Sequence, residues 1–120
     1  MKFKEDTLQK QVAKYLDLTG ALWCHVANER KTSFQAGRRL KAKGVKSGVP
    51  DCMIFNNNQQ YNGLALELKV KPNKPTKNQK EWLRRLSNKG WKCEVIYNFD
   101  EAQQIIEDYL LSDKKITSFK

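Results

Sequence analysis

Three charged residues at the ends of two apolar runs are the first candidates for chemistry in this sequence. Asp51 precedes the apolar run 52–55, and Glu67 and Lys69 close the run that begins at Leu64. An Asn- and Gly-containing connection between two such runs predicts a β-hairpin, which brings Asp51 beside the end of the second strand. Two carboxylates and an ammonium group in one place form a site for a hard divalent cation with a positive group beside it.

In the second strand of this hairpin, the apolar and the charged residues are expected to lie on opposite faces of the sheet. Side chains alternate between faces along a strand, so Leu66 and Leu68 face one side while Glu67 and Lys69 face the other. Charged groups next to a core cost free energy unless they have partners. The alternative to a metal site is a structural ion pair in which Lys69 neutralises Glu67, although a buried pair of this kind is rarely the best stabiliser.

Hydrophobic spacing predicts the elements that must position these residues. We expect a helix over 5–18, a strand over 21–26, the hairpin within 51–71, a helix from Thr76 to Gly90, a strand over 91–97 and a last helix from Asp100. This order predicts an α/β fold with a central mixed sheet. The helix before the fourth strand allows that strand to run parallel to the third. Residues 1–112 are expected to form one domain, followed by a basic tail over 113–120.

The charge of the chain favours a polyanionic partner. Lys and Arg number 23 against 13 Asp and Glu, and the net charge is +10. Segment 28–47, predicted as a loop and a short helix, has no acid after Glu29 and carries seven cations: Arg30, Lys31, Arg38, Arg39, Lys41, Lys43 and Lys46. Lys77 adds a further cation beyond the hairpin. We interpret these residues as contacts to a phosphate backbone.

A basic module that binds nucleic acid without cutting it would explain this charge equally well. Such a module does not explain two acids in the middle of a basic surface, because carboxylates weaken phosphate binding unless a cation intervenes. The alternative of a merely solvated basic face also stays open for segment 28–47. Metal-dependent cleavage is the property that separates these interpretations.

The cysteines and the one histidine give little support to other metal chemistry. Cys24, Cys52 and Cys93 are an odd number without a close spacing, which argues against a disulfide framework or a cysteine zinc site and predicts buried thiols. His25 is a candidate base, with a hydrogen-bonded strand histidine as the commoner alternative. No apolar run approaches the length of a membrane span, so we expect a cytosolic protein of a cell or of a virus replicating inside it.

The ordered motifs resemble a known nuclease superfamily. Pro50-Asp51 followed by Glu67-Leu68-Lys69 is similar to the PD-(D/E)xK pattern. The segments 28–31, 44–51 and 76–79 further resemble the VRR-NUC branch, especially its small stand-alone phage and bacterial members. The resemblance covers about residues 5–110. It implies a restriction-endonuclease-like αβββαβ core with helices flanking a mixed sheet.

The same resemblance implies a metal-dependent DNA endonuclease. Asp51, Glu67 and the carbonyl of Leu68 are then the expected ligands of Mg²⁺ or Mn²⁺, and Lys69 orients the nucleophile or stabilises developing charge. The small relatives suggest structured DNA as the substrate, such as four-way junctions cut by a symmetric homodimer. A monomeric flap or single-strand nuclease stays open, since nothing in the spacing demonstrates a dimer.

Two further residues receive expected roles from the resemblance. Glu5, at the head of the first helix, is expected to face the active site and to bind or position a second ion. Its alternative is a first-turn residue that compensates the helix dipole. Gln79, near the start of the helix after the hairpin, is expected to support water or phosphate, with an exposed helix glutamine as the alternative.

Overall fold

The computed structural model describes residues 2–27 and 33–118, with side chains over 4–27 and 33–112. Within these residues the elements follow in the order α1 Lys2–Thr19, β1 Trp23–His25, α2 Phe34–Ala42, β2 Cys52–Ile54, β3 Gly63–Leu68, α3 Lys77–Asn88, β4 Trp91–Ile96 and α4 Phe99–Ser118. The predicted α/β fold with an αβββαβ core is confirmed, and the short helix expected in the basic segment is α2. Helix α4 continues through residues 113–118, so the backbone of most of the predicted tail is helical.

The four strands form one mixed sheet in the order β1-β2-β3-β4. Strands β1 and β2 pair antiparallel, as do β2 and β3, while β3 and β4 run parallel. The fourth strand thus has the parallel pairing that the sequence allowed, with α3 as its crossover helix. Strand β3 has partners on both sides, and all of its residues are buried.

The core lies between one face of the sheet and helices α1 and α4. Side chains alternate along β3, so its three leucines lie on this face. Apolar side chains at helical spacing on α1 and α4 pack against them. The buried residues here include Leu8, Val12, Leu16, Leu64, Leu66, Leu68, Ala102, Ile106 and Tyr109. Burial of each large apolar side chain stabilises the fold by roughly 1.5–3 kcal/mol. This core holds β3 rigidly while the opposite face of the strand carries charge.

The turn end of the hairpin is closed by a network of satisfied polar groups. The Asn58 Oδ1 atom accepts hydrogen bonds from the N–H groups of Gln60 and Tyr61 at 2.9 and 2.8 Å. Its Nδ2 atom donates to the carbonyl of Tyr109 at 3.2 Å, and the Tyr109 hydroxyl donates to the carbonyl of Asn56 at 2.6 Å. The loop is thereby fixed to α4.

The cysteines correct one expectation from the sequence. All three are free thiols: Cys52 is buried, Cys93 is half-buried, and Cys24 is exposed. The prediction of a buried thiol is wrong for Cys24 because β1 is an edge strand, covered less completely than the central strands. In the part of the chain that the structure describes, no helix has both the length and the apolar character needed to cross a membrane.

Candidate active site

The open end of the hairpin brings the three predicted residues together. Cys52 pairs with Leu66 in the β2–β3 ladder, so one step further along the same register places Asp51 opposite Glu67. Residues opposite each other in a ladder share a face of the sheet. The Asp51 Oδ2 atom accepts a hydrogen bond from the N–H of Leu68 at 2.7 Å. This bond fixes the Asp51 carboxylate to the end of β3.

These three charged groups are buried without forming a closed ion pair. Asp51, Glu67 and Lys69 are 8%, 1% and 7% exposed. The Lys69 Nζ atom lies 3.7 Å from Glu67 Oε2, which is longer than the roughly 2.7–2.9 Å of a charge-assisted hydrogen bond. The other carboxylate oxygen, Glu67 Oε1, is buried and has no hydrogen-bond partner. An orphaned buried polar atom costs about 1–3 kcal/mol, and more when it carries charge.

The surroundings of Glu67 favour the protonated form of its carboxyl group. Its pKa is raised from the ordinary value of 4.5 to about 8, first by burial and then by the negative charge of Asp51. The Lys69 charge opposes this shift, whereas a hydrogen bond to Asp51 and the charge of Glu5 add to it. The two carboxylates therefore carry their full charge at neutral pH only when further positive charge is supplied between them.

The residues present fit a divalent cation. Two carboxylates in contact, one with an orphaned oxygen, provide the hard oxygen ligands that Mg²⁺ and Mn²⁺ prefer, and Mg²⁺ usually keeps several waters. Within residues 4–27 and 33–112, whose side chains the structure describes, no cluster of three or more His, Cys, Asp or Glu side chains is arranged to hold a metal. The predicted set is smaller, with two carboxylates and the carbonyl of Leu68, so its ligand roles stay predictions.

Helix α1 contributes two polar residues toward this end of the sheet. Glu5 lies in its first turn and acts electrostatically on the pKa of Glu67, so the structure places it near the carboxylate pair. One turn later, the Gln9 Nε2 atom lies 3.5 Å from the Sγ atom of Cys52. Burial raises the pKa of that thiol to about 12, which excludes a thiolate nucleophile at neutral pH. Whether Glu5 positions a second ion stays a prediction.

His25 contacts the site in a way that the sequence did not reveal. Its Nδ1 atom lies 2.8 Å from the carbonyl oxygen of Asp51, which also accepts from the N–H of Val26 at 2.9 Å. A carbonyl oxygen only accepts hydrogen bonds, so the proton of this bond resides on Nδ1. His25 thus holds the main chain that carries Asp51, which matches the hydrogen-bonded alternative rather than a free base.

Gln79 has a structural task at the start of α3. Its Oε1 atom accepts from the N–H of Thr76 at 2.8 Å, and its N–H donates to Thr76 Oγ1 at 3.2 Å. This reciprocal pair is a capping box, and it begins α3 at Thr76, where the sequence predicted the start of a helix. The carbonyl of the Gln79 amide is engaged in the cap, and the role of Gln79 toward water or phosphate stays a prediction.

Exposed cations lie on α2, in the loop that leads from α2 to Asp51, and at the start of α3. We define the basic surface as Arg38, Arg39, Lys41, Lys43, Lys46 and Lys77, all of which are exposed. Helix α2 carries the first three and buries none of its residues, so packing leaves these side chains available to a ligand. Among the described residues, none of the six pairs with a carboxylate. Arg30 and Lys31 lie outside the described residues.

The loop between α2 and Asp51 is docked on α3. Gly48 is buried and has φ +87°, a conformation that L side chains rarely adopt. A Cβ atom added to Gly48 would lie 2.7 Å from the main-chain carbon of Asn78. The Asn78 Nδ2 atom also donates to Ser47 Oγ at 2.8 Å. The glycine-containing segment 44–48 was the sequence signal for this close approach, but its partner on α3 could not be inferred from it.

Comparison with known proteins matches this geometry to one family. The model of the VRR-NUC domain matches residues 3–100. A solved structure described as a VRR_NUC domain protein is 25% identical, with a TM-score of 0.69, and the match covers 90% of this chain and 88% of the other. A second, described as a VRR_NUC domain, is 23% identical, with a TM-score of 0.59, over 88% of this chain and 97% of the other, and supports the fold alone. No curated protein matches.

The family match spans most of the chain and includes the whole hairpin with Asp51, Glu67 and Lys69. VRR-NUC domains are a branch of the nuclease superfamily, so nuclease activity and a DNA substrate are the general functions that this family implies. The protein belongs to the VRR-NUC family.

Proposed function

We propose that this protein is a Mg²⁺- or Mn²⁺-dependent DNA endonuclease that hydrolyses phosphodiester bonds in branched DNA. The observation that carries the proposal is the orphaned Oε1 atom of Glu67, buried beside a second carboxylate and an ammonium group. A purely structural cluster would have its polar atoms satisfied. This cluster is energetically incomplete, and a divalent cation is the ligand that its chemistry fits.

Each residue of the site has a separate proposed role in hydrolysis. Asp51 and Glu67 would hold the ion, with the Leu68 carbonyl as a further ligand. A bound divalent cation neutralises the phosphodiester and lowers the pKa of water. The Lys69 ammonium orients the attacking water or stabilises negative charge that develops in the transition state. The N–H of Leu68 and the imidazole of His25 hold Asp51 in place from two sides.

The basic surface supplies affinity for the substrate. Exposed cations on α2 and in the loop that leads to Asp51 contact phosphates independently of sequence. Because these cations precede Asp51 in the chain, we expect them to hold the DNA backbone across the site. The carboxylates would repel that backbone without a cation, which distinguishes this site from a module that only binds DNA.

The proposal extends to branched DNA and to a homodimer. Four-way junctions are the expected substrate because the chain resembles small stand-alone VRR-NUC proteins. A symmetric cut across such a junction requires two active sites, so two copies of this chain would act together. The cytosol of a bacterium, or of a phage-infected cell, is the proposed location. Light scattering of the protein with and without a junction tests whether the dimer forms.

One panel of reactions tests the activity. Duplex, nicked, flap and four-way-junction DNAs are incubated with the protein in Mg²⁺, Mn²⁺, Ca²⁺ or EDTA. We expect cleavage in Mg²⁺ or Mn²⁺, fastest on a branched substrate, and none in EDTA. The same panel with Glu67→Gln should show binding without cleavage. DNA binding with no cleavage of any substrate in any metal would favour the non-catalytic binding module.

A further inference from the structure

A cavity lies beside Lys41 and Lys46 of the basic surface, and none of Asp51, Glu67 and Lys69 lines it. Its volume is about 350 Å³, and its walls come from the end of α2, the following loop and the first turns of α3. The lining includes Lys41, Val45, Lys46, Asn78 and Trp82. The catalytic arrangement described above uses neither the cavity nor its tryptophan.

The lining combines groups that recognise different parts of one nucleotide. Trp82 is half-buried and Val45 is 50% exposed, so both present apolar surface to the cavity. Lys41 and Lys46 are exposed at its walls, and neither pairs with a carboxylate among the described residues. An aromatic face accepts a base by stacking, while nearby cations hold the phosphates.

One acid also lines this cavity, and its charge is already compensated. Glu81 is paired with Arg84, whose Nη2 and Nε atoms donate to its two carboxylate oxygens at 2.6 and 3.2 Å. The Arg84 guanidinium holds the pKa of Glu81 below its ordinary value. The cavity therefore presents a net positive environment to an anion.

The position of the cavity ties it to the active site. Ser47 lines it, and the chain passes from Ser47 through the buried Gly48 to Asp51. Four residue steps span at most about 14 Å, so the cavity lies within a few nucleotides of the carboxylates along a DNA strand. The close packing of Gly48 against the main chain of Asn78 fixes this spacing, since the loop cannot move away from α3 without disrupting it.

We propose that this cavity holds one unpaired nucleotide of the DNA substrate close to the cut. Its base stacks on Trp82 against Val45, and its flanking phosphates contact Lys41 and Lys46. A base within an intact duplex is stacked on its neighbours and does not reach such a cavity. The protein therefore selects DNA with an unpaired nucleotide next to the cleavage site over continuous duplex. This inference rests on the proposed function because it names the substrate feature that the same active site selects.

Binding measurements in EDTA test the cavity separately from cleavage. Three DNAs of equal length are compared: a continuous duplex, a duplex with a one-nucleotide bulge carrying 2-aminopurine, and the same bulge with an abasic residue. We expect the parent protein to bind the base-bearing bulge about tenfold more tightly than the abasic bulge. The 2-aminopurine fluorescence should fall on binding as its base stacks on Trp82.

Variants at one position identify the group responsible. Trp82→Leu keeps an apolar side chain without a π-face, and we expect it to reduce the preference for the base to less than about twofold while affinity for the abasic bulge persists. Trp82→Phe keeps an aromatic face and should therefore retain most of the preference for the base. If Trp82 had only a structural role, an aromatic side chain would not be needed for this preference. Trp23→Leu is the matched control, since Trp23 lies on β1 and donates to Asp17 instead.

The outcomes separate this inference from the nuclease assignment. If Trp82→Leu does not fold, Val45→Asp changes an exposed wall of the cavity and should lower the preference in the same way. Equal affinity of the parent for base-bearing and abasic bulges would overturn the inference, as would an unchanged preference in either variant. Preference for the base without cleavage of any DNA would keep the cavity and reject the nuclease proposal.

Discussion

Two glutamate–lysine pairs lie on neighbouring parallel strands with the same two-residue spacing, and their surroundings differ. On β4, Lys92 Nζ lies 3.1 Å from Glu94 Oε2, with the side chains 31% and 35% exposed. At the end of β3, Lys69 Nζ lies 3.7 Å from Glu67 Oε2, with the side chains 9% and 1% exposed. The nitrogen–oxygen distance is therefore shorter in the partly exposed Lys92–Glu94 pair than in the buried Lys69–Glu67 pair.

The register explains the difference between the two pairs. Leu66 pairs with Glu94, whereas Glu67 pairs with Val95, so the two glutamates lie on opposite faces of the sheet. Glu94 lies on an edge strand with partial access to water. Glu67 lies on the central strand beside Asp51, with one oxygen orphaned. The β4 pair has the geometry of a structural ion pair, whereas the β3 pair leaves one carboxylate oxygen without a hydrogen-bond partner, which supports the proposed cation site.

The largest expected effect is on cleavage by the carboxylate variants. Glu67→Gln and Asp51→Asn should each reduce cleavage in Mg²⁺ by at least about 10³-fold, because each removes an anionic ligand worth several kcal/mol in the transition state. The matched change Glu94→Gln should leave the rate within about twofold of the parent, since Glu94 lies on the other face of the sheet. Single-turnover cleavage of bound DNA measures all three. Full activity of Glu67→Gln would mean that Glu67 matters no more for cleavage than Glu94 does, and it would contradict the role of Glu67 as a metal ligand.

The second effect concerns the lysines of the two pairs. Lys69→Met should lower single-turnover cleavage by about 10²–10³-fold, because its ammonium acts on charge that develops in the transition state. Stability of the Mn²⁺-loaded protein should change little, since the metal compensates Glu67. Lys92→Met serves as the control and should retain the parent rate. A Lys69→Met protein that loads metal normally and cuts at the parent rate would exclude Lys69 from the mechanism.

The third effect concerns the basic surface and is smaller. Replacing Arg38, Arg39 and Lys41 together by Ala should weaken binding to every DNA sequence by about tenfold or more at moderate salt. The slope of log affinity against log salt should fall by about one unit for each phosphate that the variant no longer neutralises. Fluorescence anisotropy across a salt series measures the slope. A slope equal to that of the parent would mean that α2 faces away from the DNA.

The sequence predicted which elements carry the site residues better than it predicted the burial and hydrogen bonding of those residues. The hairpin, the position of Asp51 beside Glu67 and the parallel β4 followed from periodicity and connection lengths, which are local properties. The orphaned oxygen of Glu67 depends on burial by several elements at once, and no local pattern encodes it. A hydrogen-bonded histidine was the commoner alternative for His25, but its partner, the carbonyl of Asp51, could not be inferred. The role of Asn78 was missed for the same reason, because each residue hydrogen-bonds a group far away in the sequence. The hydrogen bond of Gln79 to the N–H of Thr76 was also not predicted, although the three-residue spacing of a capping box is visible in the sequence.

The most direct test of a cation-dependent carboxylate cluster is the thermal midpoint of the parent and Glu67→Gln, in EDTA and in Mn²⁺. The folded pKa of Glu67, about 8, lies above its ordinary value of 4.5. Its contribution to stability is therefore complete below about pH 4.5 and is lost as pH rises through about 8. A glutamine at position 67 stays neutral at every pH, so it avoids the free-energy cost of a buried negative charge beside Asp51. Its amide group can also donate hydrogen bonds to the Asp51 carboxylate.

At about pH 8 in EDTA, Glu67→Gln should therefore unfold several degrees above the parent, for a difference of about 1–3 kcal/mol. The control Glu94→Gln should match the parent within a degree or so. Mn²⁺ should raise the midpoint of the parent and leave that of Glu67→Gln nearly unchanged. A Glu67→Gln protein less stable than the parent in EDTA, together with a parent that does not respond to Mn²⁺, would show that Glu67 and Lys69 form a structural ion pair.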